Sequence, residues 1–242
     1  MLKFFRRIRR KLLEEGNLRR YLAYAIGETL LVMVGILMAL QVNNWNQGKA
    51  NRTREIQLLK ELKSDLIACE SFLALGIAHN DFSIKAKDIV IDFVEGKLPL
   101  NDTLQSYFNR FWQFNFTKLS NETAYKSIEN WGFDNLSNDT LRQQIITLYN
   151  FQGKLLEEMF EVEKRVSLGD YLTTISVLMD FEDRNRIQPF GEIPDVKKQQ
   201  YINFEKLVRV NLQRNIIARK RIAKEIERVK VNVEKEINRL EK

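Results

Sequence analysis

One run of 22 residues, 21–42 (YLAYAIGETLLVMVGILMALQV), carries a single charge, Glu28, in a chain of 242. At about 1.5 Å of rise per residue, a helix of that length reaches roughly 33 Å, enough to cross a hydrocarbon core about 30 Å thick. Inside hydrocarbon each backbone donor and acceptor must find its partner within the segment, so such a run is expected to be helical. Tyr21 and Tyr24 stand at one end and Trp45 at the other, where amphipathic rings favour the headgroup region as membrane-interface anchors. The run is longer than the apolar core of about 7–15 residues in a secretory signal. It leaves through Gln41-Val42-Asn43-Asn44-Trp45-Asn46, with no small-x-small cleavage pattern. The expectation is an uncleaved anchor.

The net charge of +7 suggests nucleic acid until it is divided along the chain. Residues 1–42 hold 8 basic and 3 acidic residues, and the remaining 200 hold 31 basic and 29 acidic. Most of the excess therefore lies beside the span, on Lys3, Arg6, Arg7, Arg9, Arg10, Lys11, Arg19 and Arg20. Four cations follow it closely: Lys49, Arg52, Arg54 and Lys60. Eight against four places the N-terminus in the cytoplasm and 43–242 outside it. Leu2, Phe5, Ile8 and Leu12 recur at helical spacing among the arginines. Residues 1–20 thus read either as an amphipathic helix lying on anionic lipid or as an unstructured basic topology signal.

Beyond the span the pattern is helical. Ile56, Leu59, Leu62, Leu66, Cys69, Leu73 and Ile77 recur every three or four residues, one apolar stripe with charges on the other faces. That helix is expected over 48–95, with Gly76 a possible break and Gly96 its exit. The six residues 43–48 separate it from the span, so the two are close to continuous. Leu212, Ile216, Ile222, Ile226, Val229, Val233, Ile237 and Leu240 mark a second long helix over 198–242. Shorter helices are expected over 120–131, closed by Gly132, and over 138–166. Only 3 prolines, Pro99, Pro189 and Pro194, punctuate the chain, which permits long uninterrupted helices. The fold class is all-α: a single N-terminal transmembrane helix, then an extracytoplasmic antiparallel bundle with two long coiled-coil-like helices. Three regions result: 1–20 basic and cytoplasmic, 21–42 transmembrane, 43–242 bundle.

Three motifs stand out: Lys3-Phe4-Phe5-Arg6-x-Ile8-Arg9, Tyr24-Ala25-Ile26-Gly27-Glu28, and Gly35-Ile36-Leu37-x-Ala39-Leu40-Gln41-x-Asn43-Asn44-Trp45-Asn46. Together they resemble an uncharacterised family of Bacteroidota membrane proteins. The likeness is dense over the first 46 residues and recurs weakly at Thr123-Ala124-Tyr125 and at Ser137-Asn138-Asp139-Thr140-Leu141-Arg142. Thr29 stands where a larger aliphatic residue is expected. The resemblance implies a bacterial inner membrane with the C-terminal region in the periplasm, and it implies no activity. In that setting six Asn-x-Ser/Thr triplets, Asn115-Phe116-Thr117 among them, read as coincidence and helix-cap chemistry.

Signals for chemistry are sparse. The single cysteine, Cys69, forms no intramolecular disulfide, and the single histidine, His79, denies the chain a multi-histidine metal site. They read as a packed thiol and a surface imidazole. No phosphate loop, metal-spaced cluster or nucleophile elbow is present. The rings of Tyr107, Phe108, Phe111, Trp112, Phe114 and Phe116 suit a core, or else the wall of a ligand pocket. Glu28, Gly35 and Ala39 share one helix face at i, i+7 and i+11, pointing to a transmembrane oligomer interface with a small-xxx-small contact. Between Glu205 and Glu225 no acid occurs, but Lys206, Arg209, Arg214, Arg219, Lys220, Arg221 and Lys224 do. Of these, Arg209, Arg214, Arg219, Lys220 and Arg221 form a candidate patch for an anionic partner, the alternative being a solvated face.

The functional expectation is a non-enzymatic, self-associating envelope scaffold or interaction module, without cofactor or metal. Its partners would be the bilayer, copies of itself and an envelope protein, with no nucleic acid. The alternatives are a periplasmic ligand sensor working through a partner, or an oligomeric ion path using Glu28.

Overall fold

The structure, a computed structural model, describes residues 18–101, 104, 107, 122–178 and 193–242. All regular structure among them is helical, with no strand. Helix α1 spans Leu18–Val94. Neither the Asn- and Gly-bearing stretch 43–48 nor Gly76 interrupts it, because nothing in either removes a backbone donor as proline does. It ends where Gly96 takes φ 76°, a conformation that costs a Cβ-bearing residue.

Helix α2 (Thr123–Trp131) stops at Gly132, φ 99°. A short 3₁₀ turn (Phe133–Asn135) leads to α3 (Asp139–Thr147), capped by Asn138, whose Oδ1 accepts from Leu141 N at 3.0 Å. A π-helical turn (Leu148–Gly153) then joins α3 to α4 (Lys154–Leu178). The expected helix over 138–166 therefore begins at its cap but runs twelve residues further. Its inner positions past the π turn include Glu163, Asp170 and Thr174, all buried, which a search for apolar periodicity reads as surface. Helix α5 spans Asp195–Leu240, starting three residues before expectation behind Pro194, whose fixed φ suits a helix start.

The chain divides into two compact units, Met1–Arg54 and Glu55–Lys242. In the first, every described side chain from Leu30 to Arg54 is exposed, the large apolar ones included. In the second, two apolar clusters form. The larger joins Leu58, Leu59, Leu62, Leu66, Cys69 and Leu73 of α1 to Ile222, Ile226, Val229, Val233, Ile237 and Leu240 of α5, with α2 and α3 contributing Ile128, Leu141 and Ile145. The smaller gathers Val90, Phe93 and Val94 with Leu104, Leu178, Ile193 and Tyr201. Each such side chain taken from water contributes about 1.5–3 kcal/mol before the cost of ordering it. Ion pairs link α1 to α5 and to Glu241, which caps it: Lys60 with Glu241 at 2.6 Å, Lys63 with Glu234 at 2.9 Å, Glu70 with Lys230 at 2.6 Å, Asp88 with Arg209 at 2.7 Å. Partner numbers fall along α5 as they rise along α1.

Candidate functional site

Between the two apolar clusters, the heptad positions that would hold leucine hold polar groups instead. On α1 the buried series continues past Leu73 through Asn80, Ser83 and Lys87 before it returns to Val90. Helix α4 adds Glu163, Asp170 and Thr174, and α5 adds Glu205, Asn215 and Arg219, all buried. Three helices thus aim hydrophilic side chains at one another across the middle of the second unit. Such groups are tolerated only when paired.

The first set centres on Arg219, whose Nη2 donates to Glu163 Oε2 at 2.7 Å. Asn215 Nδ2 donates to the same oxygen at 3.1 Å. The Asn80 amide fits with its nitrogen donating to Glu163 Oε1 at 3.2 Å and its oxygen accepting from Arg219 Nη1. The carboxylate therefore meets three donors while the guanidinium gains a neutral acceptor.

The second set has one cation for two acids. Lys87 Nζ donates to Asp170 Oδ2 and, at 2.8 Å, to Glu205 Oε2. The other oxygens, Asp170 Oδ1 and Glu205 Oε1, are buried with no hydrogen bond. Burial pushes the Asp170 carboxyl up to about 8; Lys87 pulls against this, and the adjacent Glu205 carboxyl adds to it. Asp170, buried beside a second carboxyl with one ammonium to share, thus keeps its proton well above the usual carboxylate range. Thr174 Oγ1 donates to Tyr201 Oη at 3.4 Å beside the pair, and burial holds the Tyr201 phenol well above its usual range.

A third set lies at the opposite end. Glu55 Oε1 accepts from Ser137 N at 2.8 Å and Ser137 Oγ at 2.9 Å. Glu236 accepts from Asn138 Nδ2 at 2.8 Å and from Arg239 Nε at 3.0 Å. Arg239 holds the Glu236 carboxyl below its usual value, against its burial. Nearby, Asp65 Oδ2 accepts from Ala124 N at 3.0 Å, and Tyr125 stacks on Tyr149 with centroids 4.3 Å apart. The motifs Thr123-Ala124-Tyr125 and Ser137-Asn138 thus fasten the short helices to the long ones.

The residues singled out by sequence fare differently. Glu28 is half-exposed, and Gly35, Ala39 and Trp45 are exposed. A Cβ added at Gly35 meets nothing within 4 Å. Tyr24 is half-exposed and Arg19 exposed; the Arg20 and Tyr21 side chains lie outside the described residues, as do Lys3, Arg6, Arg7, Arg9, Arg10 and Lys11. Of the aromatic stretch only Tyr107 is described, stacked on Phe82 at 5.9 Å. Asn115, Phe116, Thr117 and Pro189 are likewise outside. Cys69 is buried and His79 half-buried.

The basic patch does not stay together. Arg219 turns inward to Glu163 and Arg209 pairs with Asp88, while Arg214, Lys220 and Arg221 face solvent. The fold splits it because positions 205, 208, 212, 215 and 219 share the inner face of α5. Sequence reading missed Asn80, Lys87, Glu163, Asp170 and Glu205. Their signal was available as polar residues continuing the three-and-four spacing of the apolar stripes.

Among the described residues no group of three or more His, Cys, Asp or Glu is placed to hold a metal ion. An open groove of 360 Å³ runs beside Thr140, Gln144, Thr147, Glu225 and Arg228. In α1 the apolar window has a mean hydropathy of 2.0, none of it buried, and is long and apolar enough to cross a membrane. No curated protein and no solved structure matches the chain. Residues 28–90 match a family of unknown function, DUF6090, so the chain is similar to that family from Glu28 in the span to Val90 near the end of α1.

Proposed function

We propose that this chain is a non-enzymatic, single-pass protein of a bacterial inner membrane. Its span self-associates, and its folded region serves as an envelope scaffold or interaction module. The observation that carries the reading is the apolar window on α1, wholly without cover from the rest of the described chain. That much exposed aliphatic surface is costly in water and costs nothing in lipid. The N-terminus lies in the cytoplasm by the charge bias across the span, and 43–242 lies in the periplasm as an antiparallel bundle. The falling partner numbers along α5 support that direction. Glu28, Gly35 and Ala39 form the face by which spans meet, since small residues let backbones approach closely.

Cysteine placed at Lys242 tests location and topology together. The protein should resist extraction at alkaline pH, and an impermeant thiol reagent should label Lys242→Cys in intact spheroplasts. Labelling only after lysis would reverse the topology, and release by alkali would remove the anchor. Gly35→Ile should lower crosslinking between copies in the membrane, and unchanged crosslinking would dismiss the shared face.

A further inference from the structure

We propose that the outward face of α5 between Asn203 and Lys224 docks an acidic amphipathic helix of a partner protein, an inference that rests on the scaffold reading above. Leu207 and Ile217 are 64% and 68% exposed, and Val210 is 41% exposed. With Arg214, Arg221 and Lys224 they follow the order 207, 210, 214, 217, 221, 224, the alternating three-and-four spacing of a helix-packing seam. The inward seam of the same helix is already filled by Leu212, Ile216, Ile222 and Ile226. Helix α5 therefore carries two seams, one used and one facing solvent.

Charge selects the occupant. No acid interrupts α5 from Lys206 to Lys224. The fold neutralises two of the seven cations, Arg209 with Asp88 and Arg219 with Glu163. The other five, Lys206, Arg214, Lys220, Arg221 and Lys224, are exposed and make no ion pair among the described residues. Five like charges along one helical face repel one another unless carboxylates stand opposite. A bilayer surface fits less well: arginines occupy the same line as the apolar residues, leaving no continuous apolar strip to insert. A nucleic acid would leave Leu207 and Ile217 without apolar partners. A helix with aliphatic residues on one line and Asp or Glu on both flanks answers both features.

The test uses the full chain in zwitterionic nanodiscs with a photocrosslinking residue at Gln213. The probe is a synthetic helix of about three heptads, Leu and Ile at its a and d positions and Glu at e and g. Its Lys-flanked counterpart and phosphatidylglycerol vesicles serve as competitors. The acidic peptide should crosslink saturably, and Arg214→Glu with Arg221→Glu should weaken it about tenfold or more with the helical spectrum unchanged. Ile217→Ser should weaken it as well. Equal capture of the Lys-flanked peptide, indifference to the charge reversal, or displacement by vesicles alone would overturn the proposal. Because nanodisc capture does not read anchoring in cells, a chain that alkali strips from cell membranes yet still binds the peptide would keep this surface and lose the membrane reading.

Discussion

The two stretches of α1 that face α5 are built to the same spacing from opposite materials. From Leu58 to Leu73 the inner positions are leucine and cysteine but for Asp65, which holds α2, and they are met by isoleucine and valine. From Asn80 to Lys87 they are amide, hydroxyl and ammonium, met by Glu163, Asp170, Glu205 and Arg219. The apolar stretch gains from every atom it buries, and its contacts are interchangeable among shapes of similar volume. The polar stretch gains little net energy, because desolvation offsets attraction, yet each member depends on a particular neighbour. The first kind of packing provides stability and the second provides register: α1, α4 and α5 can slide against one another only by stranding a charge.

That contrast breaks most readily in the apolar stretch. Ile226→Asp or Val233→Asp places an unpaired carboxylate where both native side chains are fully buried. The expected loss is about 4 kcal/mol or more, enough to abolish cooperative unfolding of a 48–242 fragment followed by circular dichroism. An unchanged melting temperature for either variant would remove this seam.

The polar stretch should respond to pairing rather than to volume. Arg219→Met alone strands Glu163 and is expected to cost about 3–5 kcal/mol in urea unfolding. Adding Glu163→Leu should restore part of that, since it removes the stranded charge although Asn80 and Asn215 lose their partners. If the double variant is as weak as the single one, the polar stretch is packing material like the rest.

The smallest effect is a dependence on pH. Folded Asp170 holds its proton up to about pH 8, whereas an unfolded aspartate loses it near the ordinary 3.8. Between those values the folded state binds the extra proton, so stability is full below about pH 4 and falls as pH rises to about 8. Within the range pH 6 to 8 the slope reaches up to about 1.4 kcal/mol per unit. Asp170→Asn should flatten it, because the amide keeps a donor beside Glu205 without a proton to lose. A wild-type stability that does not fall over that range would show Asp170 to be ionised in the folded protein.

Much of the apolar stretch was legible in the sequence. Leu59, Leu62, Leu66 and Leu73, like Ile226 and Val233, were assigned to inner faces and are buried there, because hydrophobic periodicity follows directly from the helical repeat. The polar stretch was not, since Asn80, Lys87 and Asp170 look like surface residues until a partner chain segment arrives. Even the basic patch misled, two of its five residues being consumed by Asp88 and Glu163.

What the sequence by itself determined is one-dimensional chemistry: an apolar run fit for lipid, long helices with few prolines, and stripes that demand burial. Backbone hydrogen bonding within ten or twenty residues is enough to dictate those. Only the tertiary structure decided which charges face inward, that α1 continues past Gly76, and that α4 brings Glu163 to Arg219 and Asp170 to Lys87. A charge is neutral evidence until its neighbour is known. That neighbour lies 56 residues away for Arg219 and Glu163 and 160 for Lys230 and Glu70, brought near only when the helices pack.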